Sequence, residues 1–424
     1  MDSYLSMRVI PSVLIHYIFA LFHIAFSNPN IVTAFEILNI FCLVTGAYFV
    51  KKIFIHLKIS LKNQLLGFVL LFLNFACGKF IYYYPVLTDA SGFLLGILIL
   101  YFYLKDHVYI IAFITLLAAF TWPPVFLQGI IFLLFPVFKN APQPIDKTNK
   151  YIISSASVLY FAILILFFVI IKKEDTGMLF TLRIDKGLLP ISIGFLLFFA
   201  AYLPLSICNK NFFSMNFIRQ HFRLKNLILV FIIVILFVWI KQLFSVRQSE
   251  FLSIEHFLKS PLLSGLTKPL IYLVAHATFY GVAIILMLFF WKEICSVISE
   301  FGIGLTLAFL LNIYLTNFVV ESRGIINIFP WLIIFLVVVF EKYKIRNEVY
   351  FILTAINFLA SKIWLTIGYS AHSGIDENGA LGFPNQKLFM NIGPWMSHEM
   401  WKTQGTVLLL YILLIFALKK FSFI

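Results

Sequence analysis

Apolar residues run in long blocks along this chain, and polar residues collect in the gaps. The blocks are Val9–Phe26, Ile31–Val50, Leu65–Tyr82, Ala90–Leu104, Val108–Trp122, Val125–Phe138, Tyr151–Ile171, Gly187–Ile207, Leu227–Phe244, Leu270–Phe290, Val297–Val320, Gly324–Phe340, Val349–Ile367 and Thr406–Leu418. A helix that crosses a bilayer needs about 20 mostly apolar residues. In lipid every backbone N–H and C=O must be bonded internally, so these blocks are read as helices. They are continuous, without the period-two alternation of barrel strands. The pattern predicts an all-α polytopic transmembrane helix bundle of about 13–14 spans. The pieces from Ala90 to Phe138 are short, and one of them is expected to be re-entrant or interfacial. Residues 1–424 read as one integral membrane domain: N-terminal helices over 8–138, further spans over 151–367, an outer loop over 368–404 and a last span over 406–418.

Composition agrees. Of 424 residues, 62% are hydrophobic and 12% charged, with a mean hydropathy of +0.99. A soluble domain carries about 25% charged residues; half that cannot cover a water-facing surface. The net charge is +14, but the cations sit in short loops between apolar runs. Topology and anionic headgroups explain them, and no soluble basic domain exists to bind nucleic acid. Cys42, Cys77, Cys208 and Cys295 form no CxxC pair, which excludes a disulfide framework and a zinc ribbon.

Lysine and arginine favour cytoplasmic loops. Alternating fourteen spans from an inside N-terminus places nineteen of the 32 cations inside, among them Arg8, Lys58, Lys62, Lys105, Arg223, Lys225, Lys292 and Lys342. It places Asp89, Glu255, Glu321, Asp376, Glu377 and Glu399 outside.

Three outer stretches carry candidate chemistry. Phe80–Asp89 is an aromatic run with Tyr83 and Tyr84, ending in Thr88-Asp89 where the next helix begins. Aromatics at an interface form an anchoring belt; the terminal Asp89 is read as an N-cap whose carboxylate also stands at a helix mouth. Glu321-Ser322-Arg323 lies between two apolar helices, and the acid and arginine two apart need not pair with each other. A planar guanidinium there suits a phosphate. The 368–404 loop holds Lys387, Trp395, His398 and Glu399, with Lys402 just inside its end. Its tryptophans suit a sugar face or the headgroup region, and His398-Glu399 could move a proton. Within the apolar blocks, His16 and His23 are seven apart on one helix face, and Glu36, Asn39, Asn74 and Lys79 point to a bundle interior or cavity. Trp122-Pro123-Pro124 is a helix break. GxxxxGK[ST], HExxH, DxD and GxSxG are absent, so no motif calls for a cofactor or metal.

The stretch Tyr82–Asp89, with Pro85-Val86-Leu87-Thr88-Asp89, resembles the GT-C superfamily of polytopic glycosyltransferases in their bacterial form. Arg8-Val9-Ile10-Pro11-Ser12 is similar to the Arg-x-x-Pro entry to an early helix in that family. Glu321-Ser322-Arg323 followed by Pro330 resembles its late outer arginine. The likeness covers organisation over Arg8–Val137 and one late motif. It departs at the start: the family's long acidic first outer loop has no counterpart beside Ser27-Asn28-Pro29-Asn30. Its first helix and acidic loop are expected to be missing, or Asp2 to be a remnant of that loop, with the N-terminus then outside. The resemblance implies an extracytoplasmic transfer at a bacterial inner membrane, with a polyprenyl-phosphate sugar and membrane lipids as partners. Asp89 would be the base, Arg323 with Lys387 or Lys402 the phosphate grip, and Trp395 and the tyrosines the sugar platform. The rival expectations are a transporter or flippase of a lipid-linked substrate, and a lipid-linked glycan polymerase or ligase.

Overall fold

The computed structural model describes residues 7–83, 85–137, 147–174, 183–207, 218–219, 221–244, 254–314, 321–343, 346–364, 396 and 398–420. Among them are eighteen α-helices and no strand. In chain order these are α1 Ile10–Leu21, α2 Asn28–His56, α3 Leu61–Phe72, α4 Ile81–Tyr83, α5 Asp89–Leu104, α6 Val108–Ala119, α7 Pro123–Leu134, α8 Lys147–Ile165 and α9 Leu189–Ile207. They continue with α10 Leu227–Phe244, α11 Ile254–Leu266, α12 Ile271–Tyr280, α13 Val282–Phe289, α14 Trp291–Glu300, α15 Ile303–Asn312, α16 Phe329–Lys342, α17 Asn347–Ser361 and α18 His398–Lys420.

Every apolar block contains helix, so the chain is an all-α multi-pass membrane bundle. Five helical stretches are long and apolar enough to cross on their own: Asn28–His56, Lys150–Ile171, Leu189–Ile207, Leu224–Phe244 and Met400–Leu418. The pair α13–α14, bent by 78°, makes a sixth if counted as one span. The other apolar helices are shorter because the blocks are interrupted. Gly281, at φ 72°, divides Leu270–Phe290 into α12 and α13. Gly302, at φ 108°, separates α14 from α15. Leu65–Tyr82 passes from α3 through a π-helical stretch, Ala76–Phe80, into α4. His16 and His23 do not share a helix: α1 ends at Leu21, and His23 lies beyond it at positive φ.

One end of the bundle is basic. There Lys105 meets His56 at 3.1 Å, Arg223 grips Asp106 through both terminal nitrogens at 3.0 and 2.8 Å, Lys342 pairs with Glu300 at 3.3 Å, and Lys62 donates to Asn347. At the same end, past the apolar run Gly324–Phe340, Glu341 Oε2 accepts from Ser60 N at 3.0 Å, Ser60 Oγ at 2.8 Å and Asn63 Nδ2 at 2.7 Å. This clasp ties α3 to α16. Partial burial pushes the Glu341 carboxyl up, but those donors outweigh it and hold the group below its ordinary value of 4.5. A depressed folded value means the clasp stabilises above the unfolded pKa and is lost as pH falls through the folded one. Melting temperature followed from neutral to about pH 3 in detergent should therefore show Glu341→Gln below the parent at neutral pH and converging with it in acid. A constant gap across the range would contradict the clasp.

From the basic end, α5 rises for 16 residues, about 24 Å, while α6 and α7 form a hairpin of 12-residue helices about 18 Å tall. The hydrocarbon core of a bilayer is about 30 Å. The tip of this hairpin, Phe120–Trp122, therefore stops short of the far side. The long helix α10 passes it: Phe237 packs on Phe120 and Phe126 with ring centroids 5.6 and 5.1 Å apart, and α10 runs on to Phe244. Antiparallel helices α1 and α2 also rise past this level, packed through Ile15, Phe19 and Phe35. Helices α10 and α2 are thus taller than the hairpin they flank.

Candidate functional site

Asp89 opens α5 and is buried. Asn39, buried on α2, donates to Ile81 O at 3.3 Å and Pro85 O at 2.9 Å, which fixes the loop that delivers Thr88-Asp89. Asn39 thus faces the bundle interior, as expected, and there tethers the loop. Asp89 is not the N-cap either: Thr88 holds that position, with no side-chain capping bond, and Asp89 is the first helical residue. Its side chain is 3% exposed. Both carboxylate oxygens, and the neighbouring Thr88 Oγ1, are buried, and among the described residues no side chain hydrogen-bonds them; the backbone N–H of Asp89 itself favours the charged carboxylate.

What faces Asp89 is charge. Arg323 Nη1 lies 3.5 Å from its Oδ2, while Arg323 Nε bonds Glu321 Oε1. The acid and arginine two apart do pair, and the guanidinium bridges two carboxylates from different helical regions. Arg8 also acts on Asp89 electrostatically, and its guanidinium stands over the Trp122 ring at 5.2 Å. Alternation of spans placed Arg8 at the basic end; the structure places it at the opposite level, beside Asp89. The 12-residue α1 does not carry the chain across, and Ile10 N bonds Phe120 O at the hairpin tip.

A packed scaffold holds these groups. Trp122 Nε1 donates to Asn327 Oδ1 at 3.1 Å, and Asn327 Nδ2 to Asn312 Oδ1 at 3.3 Å. Trp331 Nε1 donates to Gly96 O at 2.7 Å. A Cβ on Gly92 would lie 2.6 Å from the Trp122 ring, and one on Gly96 2.1 Å from Asn327 O. Two glycines one turn apart on α5 therefore let the Trp122 break and the 322–328 turn close over it. From the other side, Tyr280 Oη donates to Ser322 O at 3.0 Å, and His276 Nδ1 shares a hydrogen bond with Ser322 Oγ at 3.1 Å. These bonds aim Arg323 at Asp89.

The structure brings Asp89, Arg323, Glu321 and Arg8 together. It does not bring His398 to them: that half-buried ring packs 5.6 Å from Trp401, which is itself bonded to Pro269 O at 3.1 Å. Lys402 is exposed on α18. Tyr84, Lys387 and Trp395, and the side chains of Tyr83 and Glu399, lie outside the described residues. Arg8, His276 and Tyr280 were not singled out as site residues by sequence. The available signals were an arginine opening an apolar block and a histidine inside one, since ionisable groups at membrane depth are rare and functional.

Comparison with protein-family models, curated proteins and solved structures returns no match for this chain.

Proposed function

We propose that the chain is a glycosyltransferase of the bacterial inner membrane that moves a sugar from a lipid-phosphate donor to an acceptor hydroxyl on the extracytoplasmic side. The observation that carries this is the buried Asp89 carboxylate at the start of α5, which no described side chain hydrogen-bonds, set against the guanidinium groups of Arg323 and Arg8. The basic end belongs in the cytoplasm by the positive-inside rule, which puts this site in the outer half of the bilayer. A lipid headgroup reaches that depth by lateral diffusion.

The residues fit the chemistry. Asp89 accepts the proton of the acceptor hydroxyl. The oxygen attacks the anomeric carbon, the bond from that carbon to the phosphate oxygen breaks, and configuration inverts. The lipid phosphate leaves with the bonding pair, and Arg323 and Arg8 meet its charge. Before substrate binds, Asp89 and Arg323 neutralise one another in apolar surroundings; a phosphate drawn onto Arg323 would leave the carboxylate to act as base.

The test is reconstitution of the purified protein in liposomes with polyprenyl-phosphate hexose labelled in the sugar. The expected result is label on an acceptor glycolipid with release of polyprenyl phosphate. Label that crosses the bilayer still attached to its lipid would replace this reading with the flippase one. A specific feature favours that second reading: the α12–α13 break and the end of α3 meet at Asn357, whose Nδ2 donates to Val69 O and Leu73 O and whose Oδ1 faces Gly281. Broken helices that meet at membrane depth are common in transporters.

A further inference from the structure

We infer that Thr88 binds a second hydroxyl of the acceptor, next to the one that reacts, so that the acceptor is a vicinal diol of the kind a sugar or glycerol group presents. This inference rests on the proposed transfer and adds the substrate class on the acceptor side. Thr88 stands at the N-cap of α5, where a threonine ordinarily accepts a hydrogen bond from an amide of the first helical turn. Here its side chain makes no capping bond. Its backbone, at φ −84° and ψ 14°, is not in the extended conformation usual for a cap, although its carbonyl still starts the helix by accepting from Gly92 N at 2.9 Å. The residue is 7% exposed. Its Oγ1 is buried, and among the described residues that hydroxyl has no hydrogen-bond partner. Asn39, through its bonds to Ile81 O and Pro85 O, fixes the loop that puts it there.

A buried hydroxyl with no partner costs stability, because it gives up water and gains nothing in return. Buried polar groups are as a rule satisfied, so a threonine turned away from its cap points to a group that arrives with the ligand. Its chain neighbour specifies that group. Asp89, once ionised, only accepts, and as base it takes the hydrogen of the reacting hydroxyl. The phosphate has the guanidinium groups of Arg323 and Arg8. Thr88 Oγ1 can both donate and accept, which suits another hydroxyl. A substrate with one hydroxyl would serve Asp89 and leave Thr88 unmet. Hydroxyls on adjacent carbons serve the two adjacent residues at once. Thr88 neither gains nor loses a proton in the transfer; it holds the acceptor so that the reacting hydroxyl meets Asp89.

The experiment compares the parent with Thr88→Val and Thr88→Ser, each purified and reconstituted with polyprenyl-phosphate hexose labelled in the sugar. Two acceptors are offered, dodecane-1,2-diol and dodecan-1-ol, and Tm is recorded without substrate. Valine keeps the shape of threonine with a methyl in place of the hydroxyl. The parent should use the diol roughly 3- to 10-fold better in kcat/KM than the monool, the worth of one neutral hydrogen bond. Thr88→Val should lose that preference, keep the donor KM and match or exceed the parent Tm, since an unmet buried hydroxyl is gone. Thr88→Ser should keep the preference. A structural threonine moves the other way: Thr88→Val would lower Tm and leave the ratio of the two acceptors alone, which would overturn the inference. So would a parent that uses both alcohols equally, which would assign the hydroxyl to a bound water. A Thr88→Val protein whose donor KM rises instead would place the hydroxyl against the phosphate and overturn it too. In these three outcomes the parent still transfers sugar and the proposed function stands. A parent that labels neither alcohol ends the inference, and if it also releases no polyprenyl phosphate it ends the proposed function with it.

Discussion

Asp89→Asn should still insert, with a lower Tm because Arg323 keeps only Glu321 as its carboxylate partner, and lose about 100- to 10,000-fold of the transfer rate, the usual consequence of removing a positioned base. The exchange is isosteric, and asparagine can still accept from Arg323 across the 3.5 Å separation. It cannot take the proton of a hydroxyl. A purely structural Asp89 behaves differently. Breaking a buried ion pair by removing one charge costs about 3–5 kcal/mol, so Tm falls in either case, and a structural role alone predicts intact turnover per folded molecule. The measurement is therefore turnover normalised to folded protein, with Tm recorded beside it. A folded Asp89→Asn protein that transfers sugar at the parent rate would end the proposed function.

How much of this was readable in advance depends on the distance over which each interaction acts. The helices were legible because lipid demands apolar side chains and internal backbone bonds block by block. Their lengths were not, because interruptions such as Gly281 and Gly302 depend on single backbone conformations with φ of 72° and 108°. The convergence of Asp89 with Arg323 joins residues more than two hundred positions apart, and only the shared chemistry of an acid and an arginine at apolar block ends hinted at it. Arg8 shows how a local rule fails. Charge counting treated α1 as a crossing, but twelve helical residues rise only about 18 Å, and the bond from Ile10 N to Phe120 O returns the N-terminal segment to the site. Asn39 shows where such a reading stops: a polar residue in an apolar block faces the bundle interior as expected, but nothing local told that its amide is spent on two carbonyls of the loop before Asp89.

The Arg323 side chain separates catalysis from stability more sharply than Asp89 alone. Arg323→Lys keeps the charge but loses the fork that reaches Glu321 through Nε and Asp89 through Nη1. A lysine is a point charge on a flexible stem and cannot span both carboxylates at once. Transfer should fall by about 100- to 1,000-fold, as when one charge-stabilising donor is removed, and affinity for the released polyprenyl phosphate should weaken with it. Arg323→Gln should be worse in both respects and less stable, since it leaves Asp89 and Glu321 facing a neutral amide. The double variant Asp89→Asn/Arg323→Gln then discriminates between the two roles. Replacing both members of a buried pair by neutral groups is often tolerated, whereas removing one member is not. The double variant should therefore regain much of the Tm lost by Arg323→Gln, a coupling that is expected of contacting residues and measured by the double-mutant cycle. It should regain none of the transfer, because neither the base nor the phosphate grip remains. Recovery of Tm and transfer together would mean that the pair only holds α5 to the 322–328 turn.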